Sequence, residues 1–265
     1  MHVHEKKPPH ILTMIQPPPL PGSFRHSHAS IQAIEETVLA EVALVAELGF
    51  DGIILQNMND MPVKQVSRPE AIAYMTRLAC SVRTRWPQLR LGILVNWDGV
   101  AALAVADASA ADFVRVEHLF TRAEITSAGF IQAQCCEIAE TKKRIGSRIP
   151  IYADIYEAHG IHLAPAPVED AAWEAVNEAF ADGLFIGGVD DEERIGNIRK
   201  VRAKVGNIPC FLSGGATAEN VGRLMQHYDG VSVATWIKNG DMKNPIDREK
   251  ASKFLKNARS NYEGG

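Results

Sequence analysis

The sequence has few cysteines, no long apolar run and no block of basic residues. Its 4 cysteines form neither a CxxC pair nor a Cys/His metal spacing, so neither a disulfide framework nor a structural zinc site is expected. No run approaches the ~18 apolar residues that span a bilayer, and the first residues lack the apolar core of a signal peptide. These absences predict a cytoplasmic protein without an integral membrane segment.

The charge balance argues against nucleic acid as a partner. The formal net charge is -4, and basic residues are not interleaved with aromatic ones as they are on nucleic-acid-binding surfaces. The 265 residues match the length of one barrel domain of about 250 residues. We expect a flexible polar arm over residues 1–10 and one folded domain over residues 11–265. A metal site made by His2, His4 and His10 is the alternative for the arm.

Short apolar runs alternate with helical patterns along the chain. Ile11–Gln16 is the first run, the prolines of Pro17–Gly22 end it, and an amphipathic helix follows that stops at Gly49. Runs that are apolar on both faces are typical of buried parallel strands. Eight such units predict a single (β/α)8 TIM barrel rather than an open doubly wound sheet, whose first loop would carry a GxGxxG fingerprint. The other seven runs are Ile53–Leu55, Leu91–Val95, Phe113–Glu117, Pro150–Ile155, Gly183–Ile186, Cys210–Leu212 and Gly230–Thr235.

Helices are expected between these strands. The helix after the second strand ends at Trp86-Pro87, because the residue before a proline avoids the helical region. A long helix is predicted over about Ala123–Ile145, and a closing helix over Pro245–Arg259 with proline in its first turn.

A glycine pair follows the seventh strand and predicts an anion site. Gly214 and Gly215 free the backbone from Cβ restriction, and Thr217 is expected to cap a helix there. Unpaired N–H groups and the helix dipole favour a phosphate, and the loops after strands 7 and 8 of a barrel are the usual phosphate site. A tight turn without a ligand is the alternative. The predicted phosphate-binding residues are Ser213, Gly214, Gly215, Ala216, Thr235 and Lys238.

Polar residues also stand where the other strands end, which is the rim that carries barrel active sites. Asp154 interrupts an apolar strand, so it is the preferred general acid/base, although a hydrogen-bonded Asp that orients a loop is the alternative. Glu117 and His118 are neighbours in a strand, so only one of them can face the lumen. The predicted catalytic residues are Asp154, His159 and Glu117. The predicted substrate-binding residues are Gln16, Gln56, Asn57, Asn96 and Asp98.

No cofactor is expected from these residues. Asp98, Glu117 and Asp154 could together hold a divalent cation with water, yet no spacing rule selects a metal. The expected partner is a small phosphorylated or anionic metabolite, and a homo-oligomer is compatible with the sequence.

Four motifs resemble the BtpA/SgcQ family of barrel proteins, which is grouped with the ribulose-phosphate-binding type. They are Met14–Ser23, Asp51–Asp60, Ala153–Ile155 with His159, and Ser213–Thr217 with Glu219-Asn220. The likeness runs collinearly from about residue 11 to 250. It implies a TIM barrel, and a function in photosystem I biogenesis, in sugar utilisation or as a phosphoribosylanthranilate isomerase.

The chain departs from the family at ionisable positions. The resemblance implies a His where Gln16 stands, a Glu where Gln56 stands and a Lys where Ala158 stands. Gln cannot transfer protons, so a family mechanism through these groups is in doubt here. The resemblance to phosphoribosylanthranilate isomerase implies a Cys base at the end of strand 1, where this chain has Gln16, so a strict isomerase of that kind is disfavoured.

Two functional hypotheses remain from the sequence. The first is an isomerase- or lyase-type enzyme that binds a phosphorylated, sugar-like metabolite at the loops after strands 7 and 8. The second is a non-catalytic assembly or biogenesis factor, a role that does not need ionisable groups at positions 16, 56 and 158.

Overall fold

Eight parallel strands close into a barrel in the computed structural model, which describes residues 10–117, 120–156 and 160–260. The described strands, numbered in chain order, are β1 (His10–Ile15), β2 (Gly52–Gln56), β3 (Arg90–Leu94), β4 (Phe113–Val116), β5 (Ala123–Thr126), β6 (Gly129–Gln132), β7 (Ile151–Ile155), β8 (Ile161–His162), β9 (Gly183–Ile186), β10 (Cys210–Leu212) and β11 (Gly230–Val233). The barrel runs β1-β2-β3-β4-β7-β9-β10-β11 and closes back on β1. The predicted (β/α)8 TIM barrel is confirmed.

Helices surround the barrel and follow its strands. The described helices are α1 (Ile31–Leu48), α2 (Pro69–Arg85), α3 (Gly99–Ala108), α4 (Cys135–Ile145), α5 (Val168–Asn177), α6 (Asp191–Val205), α7 (Val221–Leu224) and α8 (Arg248–Arg259). Side-chain oxygens of Ser30, Asp98, Asp190 and Asp247 accept first-turn N–H groups, which fixes where four of these helices begin. Gly49 ends α1 in the left-handed conformation, as its sequence position indicated.

One face of each barrel strand fills the lumen. Leu12, Met14, Ile54, Leu94, Phe113, Tyr152, Phe185 and Phe211 form this inner cluster. Because alternate residues of a strand share a face, the same face continues through polar residues where the strands end. Gln16, Gln56 and Asn96 each lie two residues beyond a member of the inner cluster. The fold therefore collects polar side chains from separate strands at one mouth of the barrel.

Two element predictions were wrong in detail. The long helix expected over Ala123–Ile145 is a hairpin, β5 and β6, followed by the shorter α4. Gly129, at φ +94°, turns this hairpin, and β8 then pairs with β5 to make a three-stranded sheet. The closing helix begins at Arg248, so Pro245 precedes its Asp247 cap.

The predicted N-terminal arm lies almost wholly outside the described residues. Its last residue, His10, is already part of β1 and pairs with Gly230. None of the helices within the described ranges is long and apolar enough to cross a membrane.

All four cysteines are free thiols. Burial raises the pKa of the Cys210 thiol to about 12, so that group stays protonated at neutral pH.

Packing in the lumen makes one glycine hard to replace. A Cβ at Gly92 would collide with the Phe113 ring, whereas a Cβ at Gly196 in α6 meets nothing within 4 Å. We expect Gly92→Ala to lower the free energy of unfolding by about 1–3 kcal/mol through overpacking. Gly196→Ala should raise it by up to about 1 kcal/mol, because alanine is the better helix former. Urea unfolding of both variants checks this, and equal midpoints would contradict it.

Candidate active site at the barrel mouth

A buried arginine organises the mouth of the barrel. Arg115 in β4 donates from Nε and Nη2 to the two carboxylate oxygens of Asp154 in β7, each at 2.8 Å. Its guanidinium lies 4.3 Å from the centre of the Phe185 ring. A planar guanidinium matches a carboxylate in this two-bond arrangement and can stack on an aromatic face. Sequence reasoning missed Arg115, although a charged residue on the lumen side of an apolar strand could have revealed it.

The predicted acid/base residue is therefore engaged in an ion pair. Only 1% of the Asp154 side chain is exposed, and both of its oxygens accept bonds from Arg115. An ionised carboxylate in this position acts as an acceptor that holds its neighbour in place. This geometry favours the alternative from the sequence, a hydrogen-bonded Asp that orients its surroundings.

Glu117 is the more accessible carboxylate of the mouth. Its side chain is 15% exposed and lies 3.7 Å from Arg115 Nη2. Gln56 Nε2 donates to Glu117 Oε2 at 3.1 Å, which connects the ends of β2 and β4. Glu117 thus faces the lumen side, as the alternation argument allowed. His118 and His159 lie outside the described residues.

Several buried polar atoms find no hydrogen-bond partner among the described residues. They include Gln16 Nε2, Gln56 Oε1 and Asn57 Oδ1 where β1 and β2 end, and Ser232 Oγ inside β11. The partners of the two glutamines fix their amide orientations. Lys238 can only donate, so it takes Gln16 Oε1, and Glu117 accepts from Gln56 Nε2. A buried polar atom without a partner costs about 1–3 kcal/mol, so these atoms are candidates for contact with a ligand or with water.

The remaining predicted substrate-binding residues build loops. Asn96, at φ 35°, donates to the Asn57 carbonyl at 2.9 Å, and Asn57 Nδ2 donates to Asp60 at 2.9 Å. Burial raises the pKa of the Asp60 carboxyl, and bonds from the Leu20 N–H and Asn57 partly offset this. These contacts tie the loop after β2 to the loops after β1 and β3.

Asp98 caps a helix instead of lining a cation site. Its oxygens accept the N–H groups of Ala101 at 2.9 Å and Ser67 at 2.6 Å. Within the described ranges, no group of three His, Cys, Asp or Glu side chains could hold a metal ion. The cation cluster of Asp98, Glu117 and Asp154 that the sequence left open is not assembled.

The glycine loop after β10 keeps several donors available. Thr217 N–H donates to Asn220 Oδ1 at 2.7 Å, and Asn220 Nδ2 donates to the Gly215 carbonyl at 3.1 Å. The N–H groups of Gly214, Gly215 and Ala216 donate to no acceptor among the described residues. The expected dipole contribution is wrong, because α7 begins only at Val221 and is a single turn long. Free N–H groups, and not a helix end, are what this loop offers.

A cation lies directly against the glycine loop. Gly215 has φ +77°, and a Cβ there would collide with the guanidinium of Arg194. Arg194 pairs with Asp191 at 2.7 Å, and its side chain is 12% exposed. Ser213 precedes this corner at the end of β10, and a Cβ at Gly187 would touch its hydroxyl. The sequence offered no signal for Arg194 beyond its place in a helix.

The loop after β11 carries the last two predicted phosphate ligands. Thr235 is exposed, and its carbonyl accepts the N–H groups of Lys238 at 3.2 Å and Gly240 at 2.9 Å. Lys238 is buried and pairs with Glu41 at 2.8 Å. Trp236, which sequence reasoning placed beside the anion pocket, packs against Phe254 of α8, with its ring centre 6.2 Å away.

The three-stranded sheet supplies a second group of ionisable residues near Asp154. Glu124 of β5 is paired in register with His162 of β8, and His162 Nδ1 lies 3.6 Å from Glu124 Oε2. These two residues line a small cavity together with Glu117 and Asp154. Pairing of β5 with β8 thus holds the loops after β4 and β7 over one side of the mouth.

Together the closed barrel and its polar mouth define a (β/α)8 barrel protein with the general layout of barrel enzymes. The chain belongs to the BtpA family, whose model matches residues 6–260. The family resemblance inferred from the motifs is confirmed.

Relatives and solved structures extend this result. The chain is 33% identical to an uncharacterized protein of Archaeoglobus fulgidus, over 91% of this chain and 95% of that protein. It is 29% identical to the photosystem I biogenesis protein BtpA of Synechocystis, over 89% of this chain and 83% of that protein. The fold is similar to N-(5'-phosphoribosyl)anthranilate isomerase from Pyrococcus furiosus, with a TM-score of 0.55 at 14% identity, covering 95% of this chain and 98% of that one.

The buried ion pair gives a stability test. Arg115→Met leaves the Asp154 carboxylate buried without its main partner, so we expect a loss of about 3–5 kcal/mol in the free energy of unfolding. Arg248→Met removes a solvent-screened pair with Glu47 on the surface, so it should lower the free energy of unfolding far less. Chemical denaturation of both variants measures the difference. Equal losses would contradict the structural importance of the Arg115–Asp154 pair.

Proposed function

We propose that the barrel mouth is the active site of an isomerase- or lyase-type enzyme that acts on a small phosphorylated, sugar-like metabolite. The observation that carries this proposal is the set of unpaired buried polar atoms on Gln16, Gln56, Asn57 and Ser232. They are an amide N–H donor, two amide oxygens and a hydroxyl. A polyhydroxylated ligand supplies donors and acceptors that complement them.

The phosphate group would bind at the glycine loop. The N–H groups of Gly214, Gly215 and Ala216 donate to no described acceptor, and the Arg194 guanidinium adds positive charge beside them. Backbone N–H groups in such a concave turn form anion sites even without a helix dipole. Ser213 and Thr235 would add hydroxyl groups from the ends of β10 and β11. Lys238 is engaged with Glu41 and Gln16, so it contributes less here than the sequence predicted.

Glu117 is the favoured proton-transfer residue. It is more exposed than Asp154, and Arg115 and Gln56 hold it in place from two sides. Asp154 would keep Arg115 oriented, while Asn96 would contact the substrate. His159, predicted as catalytic from the sequence, stays a prediction. When a carboxylate accepts the proton from a hydroxyl-bearing carbon next to a carbonyl, an enediolate forms. Return of that proton to the former carbonyl carbon, with the hydroxyl proton passing to the former carbonyl oxygen, isomerises the sugar. Cleavage of the bond between the β-carbon and its leaving group, which departs with the electron pair and a proton, is the lyase alternative.

A strict phosphoribosylanthranilate isomerase activity is not proposed. Gln16 stands at the end of β1, where such an isomerase resemblance implies a Cys base, and an amide cannot accept the proton. The fold similarity to that enzyme, at 14% identity, does not extend to this residue.

A non-catalytic assembly role is the second candidate. The Synechocystis relative is named a photosystem I biogenesis protein. The three-stranded sheet also exposes an apolar row, since Ile125 faces Phe130 and Ile161 in register and all three are exposed. Such a row is typical of a surface that contacts another protein.

Phosphate binding can be tested by thermal protection. A ligand at 100 times its Kd adds about 2.7 kcal/mol, which is roughly 5–10 °C in Tm for a domain of this size. We expect sugar phosphates to protect the wild-type chain and not Gly214→Val, whose side chain would fill the approach to the free N–H groups. A Cβ at Gly214 meets nothing within 4 Å, so the variant should fold. Gly196→Ala, whose added methyl group meets nothing within 4 Å, is the control that should keep full protection. Equal protection of all three proteins would exclude the glycine loop as the site.

Proton transfer can be tested separately from binding. We expect Glu117→Gln to keep its protection by the sugar phosphate that the wild type turns over and to lose about 10²–10⁴-fold in kcat, because the amide cannot transfer protons. The readout is exchange of a substrate C–H proton with deuterated water, followed by NMR. Unchanged exchange in the variant would exclude Glu117. If the wild type binds sugar phosphates but catalyses no exchange, the assembly role is favoured.

A further inference from the structure

An open cavity of about 740 Å³ lies beside the mouth of the barrel. It is bounded by the proline-rich loop after β1, one face of α1 and the segment between β11 and α8. The cavity lined by Glu117 and Asp154 measures only about 20 Å³. A volume of this order accommodates a small-molecule ligand.

The floor of this side cavity, as we call it, is a buried polar cluster. Lys238 is only 2% exposed, and its Nζ lies 2.8 Å from Glu41 Oε1 and 3.2 Å from Gln16 Oε1. An ammonium group has three donors, so one N–H has no acceptor among the described residues. Gln16 is 9% exposed, and both N–H bonds of its Nε2 are likewise unused. One acceptor oxygen on a ligand can therefore accept hydrogen bonds from both Lys238 Nζ and Gln16 Nε2.

The charges around the side cavity favour an anion. Its charged lining residues are three cations, Arg25, Lys238 and Lys243, and one carboxylate, Glu41, which leaves a net charge of +2. Arg25 and Lys243 are exposed at the rim, whereas Lys238 and Glu41 pair at the floor. Among the lining residues, Glu41 is the carboxylate and it pairs with Lys238, so Arg25 and Lys243 have no carboxylate partner in the lining. A monoanion or dianion complements this distribution.

Glu41 adds a requirement for a donor on the ligand. One carboxylate oxygen of Glu41 pairs with Lys238, and the other accepts no hydrogen bond from the described residues. A ligand hydroxyl can donate to that oxygen while an adjacent carboxylate accepts from Gln16 and Lys238. Pro19, Leu44 and Ile246 supply apolar surface for the carbon chain between them.

We propose that the side cavity is a second ligand site and that it binds a small hydroxylated carboxylate, such as a sugar acid. The carboxylate accepts from Gln16 Nε2 and Lys238 Nζ, a hydroxyl donates to Glu41, and Arg25 and Lys243 balance the added charge. The site is distinct from the glycine loop and shares only Gln16 Nε2, which has two N–H bonds, with the mouth site proposed above. Arg25 and Lys243 belong to the side cavity alone, so their variant tests this proposal separately.

Calorimetric titration with three matched probes tests this site. Gluconate carries the carboxylate and the hydroxyl groups, sorbitol lacks the carboxylate, and hexanoate lacks the hydroxyl groups. We expect measurable binding of gluconate alone. Gln16→Leu should weaken it roughly 10- to 100-fold, because a hydrogen bond to a charged group is lost. The double variant Arg25→Ser/Lys243→Ser should weaken it up to about tenfold and remove much of its salt dependence.

The controls keep the outcome decisive. Arg25 and Lys243 are exposed, so the rim variant should fold even if Gln16→Leu does not. Gly214→Val should bind gluconate as the wild type does, which separates this site from the glycine loop. Absence of gluconate binding at millimolar concentration, equal binding of sorbitol, or wild-type affinity in the rim variant would each overturn the proposal.

Discussion

The mouth of this barrel depends on the buried pair of Arg115 and Asp154. Two parallel bonds of 2.8 Å join β4 to β7 inside the lumen, and the guanidinium rests on the Phe185 ring. Two residues earlier in the same strand, Phe113 belongs to the apolar inner cluster, and two residues later Glu117 reaches the partly exposed rim. The pair is thus the boundary where an apolar lumen gives way to a polar one, at a desolvation cost that only good geometry offsets.

Two neighbouring environments follow from this arrangement. The mouth collects amide groups with unpaired atoms on Gln16, Gln56 and Asn57 beside the carboxylates of Glu117 and Asp154. The side cavity has a net positive lining and a buried lysine. Gln16 touches both, because its amide oxygen contacts Lys238 while it ends the lumen face of β1. Gln16, which stands where the family resemblance implied an ionisable group, therefore lies between the barrel mouth and the side cavity.

The chain belongs to the BtpA family, but it lacks several ionisable groups that the family resemblance implied. The BtpA model covers nearly its full length, yet amides or alanine stand where the family resemblance implied ionisable groups. Because positions 16 and 56 carry neutral side chains, the charge at the barrel mouth comes from Arg115, Glu117 and Asp154. The sheet formed by β5, β6 and β8 adds the ionisable side chains of Glu124 and His162 on the same side of the mouth.

The sequence by itself determined the architecture, because runs apolar on both faces and spaced by helical patterns leave few alternatives to a closed parallel barrel. It also located the strand ends, since alternation places Gln16, Gln56, Asn96 and Glu117 on one face. Only the tertiary structure decided which of these groups pair: Arg115 with Asp154, Lys238 with Glu41, and Asp98 with a helix start. Arg115 and Asp154 are 39 positions apart in the chain, and such a pair cannot be read from local patterns, because closure of the barrel sets the distance. The hairpin after β4 was missed for the same reason, since its stability comes from pairing with β8, more than thirty residues later.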